Sequence, residues 1–229
     1  MADLRSMLSH PVLYSLYQNL ARGRRFYSVF VHDYVRATPD KRILDIGCGP
    51  ADILEFLPHL DYVGVDMSEG YLAAARRRFG TRATFLKMRV DEASVGQLSG
   101  FDIVLAQGLL HHLDDAEATC LFRVGRAALR PGGRLVTLDG VYVPGQSRLA
   151  RYLISRDRGR YVRTGAEYKA LAASFFQDIR LSIRHDLFRI PYSVAIIECV
   201  RPADDSGQTI IVDQDQLRGF GQSLSGSVG

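Results

Sequence analysis

The residues best suited to chemistry lie in Arg42-Ile43-Leu44-Asp45-Ile46-Gly47-Cys48-Gly49-Pro50-Ala51-Asp52 and in a later run, Tyr62-Val63-Gly64-Val65-Asp66. An apolar run that breaks into glycines, followed by another that ends in an acid, describes a nucleotide-like ligand held across the carboxyl ends of two neighbouring parallel strands. Gly47 and Gly49 have no side chain, so backbone N–H groups can approach a ligand there. A dinucleotide turn wants a third glycine where Asp52 stands, and an acid at that place repels a pyrophosphate. The ligand therefore carries positive charge or has no phosphate. Asp66 offers two acceptor oxygens to the vicinal hydroxyls of a ribose. Asp45 is placed to receive an ammonium, directly or through water, or else to pin the glycine loop by accepting backbone N–H bonds.

These groups need strands to carry them. Apolar segments at Ile43 to Ile46, Tyr62 to Val65, Ala83 to Lys87, Phe101 to Ala106 and Arg134 to Leu138 read as strands. Helices alternate with them: a short one at Ala51 to Leu57, one at Ser68 to Phe79 capped by Ser68 with Glu69 in its first turn, and one at Asp115 to Leu129 stopped by Arg130-Pro131-Gly132-Gly133. That alternation predicts an α/β fold, a mostly parallel sheet covered by helices on both faces. The pattern then changes, because Ile179 to His185 and Tyr192 to Val200 are strand-like with no helix between them. They predict a C-terminal hairpin and hence an antiparallel strand. Leu13, Leu16, Tyr17, Leu20, Phe26, Phe30 and Tyr34 recur at helical spacing, with Gly23 separating two helices, so residues 1–38 read as an N-terminal helical lid. Residues 39–200 read as the core, with a substrate-cap insertion at about 143–176 that is Arg-rich and then helical from Thr164, and residues 201–229 as a flexible tail.

The chain has 229 residues, 47% of them hydrophobic, which suits one folding unit with a sizeable core. Lys and Arg number 29 against 25 Asp and Glu, an excess too mild to point to nucleic acid. Cys48, Cys120 and Cys199 form neither a disulfide framework nor a metal-ligand spacing, and no metal is expected. The Met-Ala-Asp-Leu-Arg start has no signal-peptide run, and no stretch is apolar for long enough to span a membrane. The expectation is a cytoplasmic protein, a monomer or a homodimer.

Four motifs in order carry a family resemblance. Leu44-Asp45-Ile46-Gly47-Cys48-Gly49, Asp66, Phe101-Asp102-Ile103-Val104 with Leu109-Leu110-His111-His112-Leu113, and Leu129-Arg130-Pro131-Gly132-Gly133 together resemble the class I S-adenosylmethionine-dependent methyltransferases over about residues 40–200. The resemblance implies a Rossmann-like seven-stranded sheet with a reversed C-terminal strand, S-adenosylmethionine as cofactor and S-adenosylhomocysteine as product. It implies that Gly47, Cys48 and Gly49 pack on the methionine part, that Met67 lies beside the adenine, and that Gln107 and Gly108 line the methionine region. After the third strand it leaves two alignments: one sets Arg89 at the family's acidic position with backbone donors from Met88 to Val90, the other brings in Asp91 as amine acceptor.

Methyl transfer needs the acceptor lone pair in line with the methyl–sulfur bond and, for a hydroxyl, a base. His111 is the candidate base, since imidazole titrates near neutrality, and His112, shaping the same loop, is counted among the substrate-binding residues. Asp139 could orient a substrate group, with Tyr142 and Tyr14 as aromatic walls. The acceptor pocket is expected from the N-terminal set Tyr14, Tyr17, Arg25, Phe26 and Tyr27, and from Arg163, Tyr168, Arg189 and Tyr192, which suits an anionic or aromatic small molecule. A hydroxyl of a metabolite is the favoured acceptor. Methylation of nitrogen or carbon, a non-catalytic cofactor-binding partner and an NAD-dependent oxidoreductase are the alternatives.

Overall fold

In a computed structural model of the chain, the described residues are 23–94, 98–155 and 159–204. The first element, α1, is α-helical over residues 23–30 and closes in a π-helical turn, Val31–Val35. There follow β1 (Arg42–Ile46), β2 (Asp61–Asp66), α2 (Glu69–Phe79), β3 (Thr84–Lys87), β4 (Phe101–Gln107), α3 (Asp115–Ala128), β5 (Leu129–Tyr142) and α4 (Arg148–Ser155). The chain continues through β6 (Arg163–Thr164), α5 (Gly165–Ala173), β7 (Asp178–Arg184) and β8 (Val194–Val200). The strands order as β3-β2-β1-β4-β5-β8-β7, with two-residue β6 paired to the end of β5. β1 pairs in parallel with both β2 and β4, and β8 is antiparallel to both β5 and β7, so the predicted hairpin supplies the one reversed strand of the main sheet.

Strand periodicity divides the core. Ile43, Tyr62, Ile103 and Leu105 face a layer built from α1, α2 and the turn after β1, whereas Leu44, Val63, Val104 and Ala106 face α3 and α5. The expected caps close the helices. Ser68 Oγ accepts from Tyr71 N–H at 3.4 Å, and Thr164 with Glu167 forms a capping box. Asp114 and Glu117 form another at the start of α3.

Three details differ from the sequence reading. β5 starts at Leu129 rather than 134 because Leu129 pairs with Phe101, after which the Arg130–Gly133 stretch bulges out before Arg134 joins Ile103. Gly133 permits this, since a Cβ there would lie 2.9 Å from Arg130 O and 3.1 Å from Asp102 O. The second half of the expected cap belongs to the core: Tyr168, Ala172 and Phe176 are buried under the sheet. The described part of the expected lid is likewise a fixed layer, because Phe26, Phe30 and Val35 are fully buried and the Arg134 guanidinium donates to Tyr34 O and Val35 O. Most of the expected tail, and residues 1–22 with Tyr14 and Tyr17, lie outside the described residues.

β2 touches the glycine turn through Gly64, whose absent Cβ would lie 2.8 Å from Cys48 Sγ and 3.1 Å from Phe85 Cδ1. Gly64→Ala should therefore destabilise the protein by about 1–3 kcal/mol, the usual cost of overpacking. Cys48→Ala in the same chain should recover part of that loss in urea unfolding; no recovery would place the strain elsewhere.

Candidate functional site

β1 and β4 are neighbours whose following connections leave in opposite directions along the sheet, and a crevice opens beyond their carboxyl ends. The turn after β1 makes one wall. Gly47 and Gly49 take φ of +71° and +54°, and Ala51, at +58°, adopts the same left-handed region as the chain enters the 3₁₀ turn Asp52–Glu55. A Cβ on Gly49 would meet nothing within 4 Å, so the turn presents open backbone on that side. Its amides, however, do not serve a ligand as the sequence suggested. Gly47 and Cys48 both donate to Val65 O, at 2.8 and 3.1 Å, Gly49 donates to Asp66 Oδ2 at 2.9 Å, and Ala51 donates to Cys48 O at 2.9 Å. Pro50 has no N–H to offer. An anion-binding nest needs free amides, and this turn has engaged its own.

Asp66, not Asp45, pins the loop. Its two oxygens accept from Gly49 N–H and from Ser68 N–H at 2.9 and 2.8 Å. Each carboxylate oxygen retains a further lone pair, so a diol can still be accepted. Asp45 is 2% exposed and accepts from Tyr62 Oη at 2.6 Å. Burial raises its pKa to about 7, the Asp66 charge adds to the rise, and the Tyr62 hydrogen bond opposes it.

A cleft of about 450 Å³ lies over these groups. Asp45, Gly47, Cys48, Gly49, Asp66, Met67, Gln107 and Gly108 all line it, as the sequence led us to expect. Tyr71, Ile53, Leu109 and Leu113 line it as well and were not singled out as site residues. Tyr71 could have been found from its place in the helix that Ser68 starts immediately after Asp66; Ile53 offered no signal beyond an apolar turn. Met88, Arg89, Val90 and Asp91 are not among the lining residues. Arg89 is drawn outward to Glu117 at 3.0 Å, and Val90 packs on the apolar core. Met88 N–H prolongs the sheet ladder to Asp66 O, and Asp91 accepts from Ala93 N–H to close its own turn.

The two histidines differ in exposure. His111 is 5% exposed, its Nδ1 lies 2.8 Å from Asp139 Oδ1, and the same oxygen accepts its backbone N–H at 3.2 Å. A carboxylate can only accept, so the proton sits on Nδ1. Gly159 lies against the ring, where a Cβ would be 2.1 Å from Cδ2. His112, with its ring centre 4.3 Å from that of His111, is exposed and lines the cleft.

Several expected acceptor residues are structural. Phe26 is fully buried among Tyr27, Phe30 and Phe188. Tyr168 is 1% exposed and donates to Gly140 O at 3.1 Å. Arg163 is buried, bound to Asp115 and to the carbonyls of Leu110, Leu113 and Tyr161, and so clamps the loop that bears the histidines. Asp139 serves His111 rather than a substrate. Tyr142 stands on α4's side of the sheet under the Arg151 guanidinium. Tyr192 stacks on Phe188 and touches Gly140, and Arg25 is exposed near Asp186. Tyr27 and Arg189 do line a cavity, a smaller one beside the cleft.

The residues fit a cationic adenosyl ligand. Three carboxylates, Asp45, Asp52 and Asp66, line the cleft with no Lys or Arg among its walls, and Asp52 alone is offset, by Arg78. Gln107 Oε1 is buried with no hydrogen-bond partner among the described residues, an acceptor suited to an ammonium.

The folded protein keeps a proton on Asp45 that the unfolded chain releases, so stability should fall as pH rises from 3.8 to about 7 and level off above. Asp45→Asn should remove that part of the slope in urea unfolding followed across pH. Tyr62→Phe, which deletes the opposing hydrogen bond, should move the carboxyl titration still higher by NMR.

Comparison with known proteins agrees with this geometry. Residues 43–133 match a family model described as a methyltransferase domain. The chain is 28% identical over 187 residues, 79% of its length, to the mouse eEF1A lysine and N-terminal methyltransferase, of which it spans 26%. It is 31% identical over 104 residues to the ubiquinone biosynthesis O-methyltransferase of Hahella chejuensis, with 43% of each chain covered. It thus spans less than half the length of either relative. The structure of Haemonchus contortus phosphoethanolamine N-methyltransferase 2 with phosphomonomethylethanolamine and S-adenosylhomocysteine superposes with a TM-score of 0.66 at 18% identity, covering 87% of this chain and 59% of that one. By its strand order, its glycine turn and these matches, the chain has the fold of the class I S-adenosylmethionine-dependent methyltransferases, and residues 43–133 match a methyltransferase domain.

Proposed function

We propose that this protein transfers a methyl group from S-adenosylmethionine to a hydroxyl of a small molecule. The observation that carries the reading is the charge of the cleft: carboxyl groups with no Lys or Arg among the walls, beside a turn whose Gly47, Cys48, Gly49 and Ala51 amides are already engaged. That arrangement favours a sulfonium and an ammonium and rejects the pyrophosphate of NAD. When bound, the cofactor supplies an electrophilic methyl on its sulfonium, and transfer leaves S-adenosylhomocysteine.

The chain's own groups do the rest. Asp66 accepts the ribose hydroxyls, Met67 and Tyr71 flank the adenine, and Gln107 with Asp45 receives the ammonium. Met88 to Asp91 are left to shape the adjoining turn. The imidazole that meets the acceptor is His112, because it stands on the cleft while His111 lies behind it. His112 takes the hydroxyl proton as the acceptor oxygen bonds to the methyl carbon. His111, fixed by Asp139, and Arg163 are positioning residues for that loop. The mouse and nematode relatives are named for nitrogen acceptors and the bacterial one for an oxygen acceptor, so the acceptor atom is itself an outcome of the test.

Calorimetry should show binding of S-adenosylhomocysteine and none of NAD, and Asp66→Ala should weaken the former about tenfold or more, as loss of charged hydrogen bonds does. Absence of binding by the wild-type protein would falsify the cofactor assignment. With hydroxyl acceptors, His112→Ala should lower kcat by about 10²–10⁴ and abolish the acidic limb of the pH profile. An unchanged kcat would replace the hydroxyl with an acceptor that needs no base.

A further inference from the structure

A second cavity, of about 290 Å³, shares Tyr27 and Asp52 as walls with the cofactor cleft. It is formed where α1, the turn after β1 and the β7–β8 connection meet, and it contains three guanidiniums, those of Arg24, Arg78 and Arg189. Their situations differ. Arg78 is bound to both carboxylates of the cavity, Asp52 and Glu55, the latter at 2.5 Å. Arg24 and Arg189 have no carboxylate within ion-pair distance among the described residues. The two acids are thus occupied, and two positive charges remain facing the same small space.

Both of these arginines are exposed and lie against neighbouring groups without a salt bridge among the described residues. The Arg24 guanidinium lies 5.3 Å from the centre of the Phe56 ring. The Arg189 guanidinium lies against Gly23, where a Cβ would come within 2.8 Å of its Nε. Between them, Tyr27 and Phe56 stack at 5.0 Å with their planes 15° apart and give the cavity an aromatic floor. Planar forks above an aromatic surface match an oxyanion attached to a flat body.

We propose that this cavity is the anion-recognition subsite for the methyl acceptor, taking a carboxylate or phosphate group of the acceptor on Arg24 and Arg189. The inference rests on the methyl-transfer reading and narrows its substrate class. Its place fits that role: the shared Tyr27 wall lets one molecule keep its anionic end in this cavity while its other end reaches the cleft. The two compartments also have opposite character, one acidic around the cofactor and the other with unmatched guanidiniums, so an anionic acceptor and a cationic cofactor are sorted by charge.

The test uses the full chain saturated with S-adenosylhomocysteine and titrated with phenyl phosphate, benzoate and, as the uncharged control, phenol, with arginine Nε–H resonances followed by NMR. Phenyl phosphate and benzoate should shift the Arg24 and Arg189 signals, and phenol should not. Arg24→Ala and Arg189→Ala should each weaken phenyl phosphate binding about tenfold, the size expected for loss of one charge-assisted pair. Affinity for S-adenosylhomocysteine should stay within about twofold, well inside one hydrogen bond's worth. Phenyl phosphate binding indifferent to both variants would overturn the subsite. A large fall in S-adenosylhomocysteine affinity in the variants would overturn it too, because the guanidiniums would then be serving the cofactor's own carboxylate. Failure of the wild-type protein to bind S-adenosylhomocysteine at all would count against the methyl-transfer reading on which the subsite rests.

Discussion

The site depends on one carboxylate with two tasks. Asp66 ends β2 and takes a backbone N–H from the glycine turn and another from the residue that caps α2. Strand, turn and helix are thereby tied at a single point, and the tie leaves lone pairs on the outer side of the carboxylate for a ligand. Because the remaining amides of the turn donate to Val65 and Cys48, the turn offers no positive nest. The carboxyl groups of Asp66 and Asp45, one charged and one able to ionise, therefore set the character of the cleft. The same glycine pattern that in other proteins holds a pyrophosphate is here turned to the opposite charge.

Burial gives Asp45 its second influence. A carboxyl with little exposure, answered by one tyrosine hydroxyl, holds its proton to about pH 7. A cationic ligand placed beside it would stabilise the ionised form and so couple ligand binding to proton release at this residue. The histidine loop follows a comparable logic in a different place. Asp139 fixes the His111 ring, Arg163 holds the carbonyls on either side, and the exposed neighbour His112 is left at the cleft. Two adjacent residues of one type thus have different surroundings, set by which of them the 3₁₀ turn Leu110–His112 directs inward.

The positions beside the cleft are firm because they belong to packed layers. α1 contributes Tyr27 to the site while Phe26 and Phe30 anchor it in the core, and Arg134 reaches across from β5 to its final carbonyls. Helical periodicity places Phe26 and Tyr27 on adjoining sides, so Phe26 is wholly core while Tyr27, buried in the same cluster, also reaches the cleft wall. The sequence set them together as an aromatic group and could not separate them. Arg163 and Tyr168 differ for the same reason: type and neighbourhood suggest recognition, whereas the structure buries them and engages them in hydrogen bonds to the chain.

Local rules carried the strands, the caps of α2, α3 and α5, the reversed final strand, and the half of the cleft formed by β1, β2 and β4, since alternation, cap chemistry and glycine placement act over a few residues. The amino-acid order by itself determined which strand ends would carry Gly47, Asp66 and Gln107, and that Asp52 stands where a dinucleotide turn wants its third glycine. Only the tertiary structure decided where the turn's amides point, which histidine is exposed and which arginines lack an acid. Those outcomes depend on contacts between residues far apart in the chain, where burial and the partner already taken, rather than residue type, fix what a side chain has left to offer.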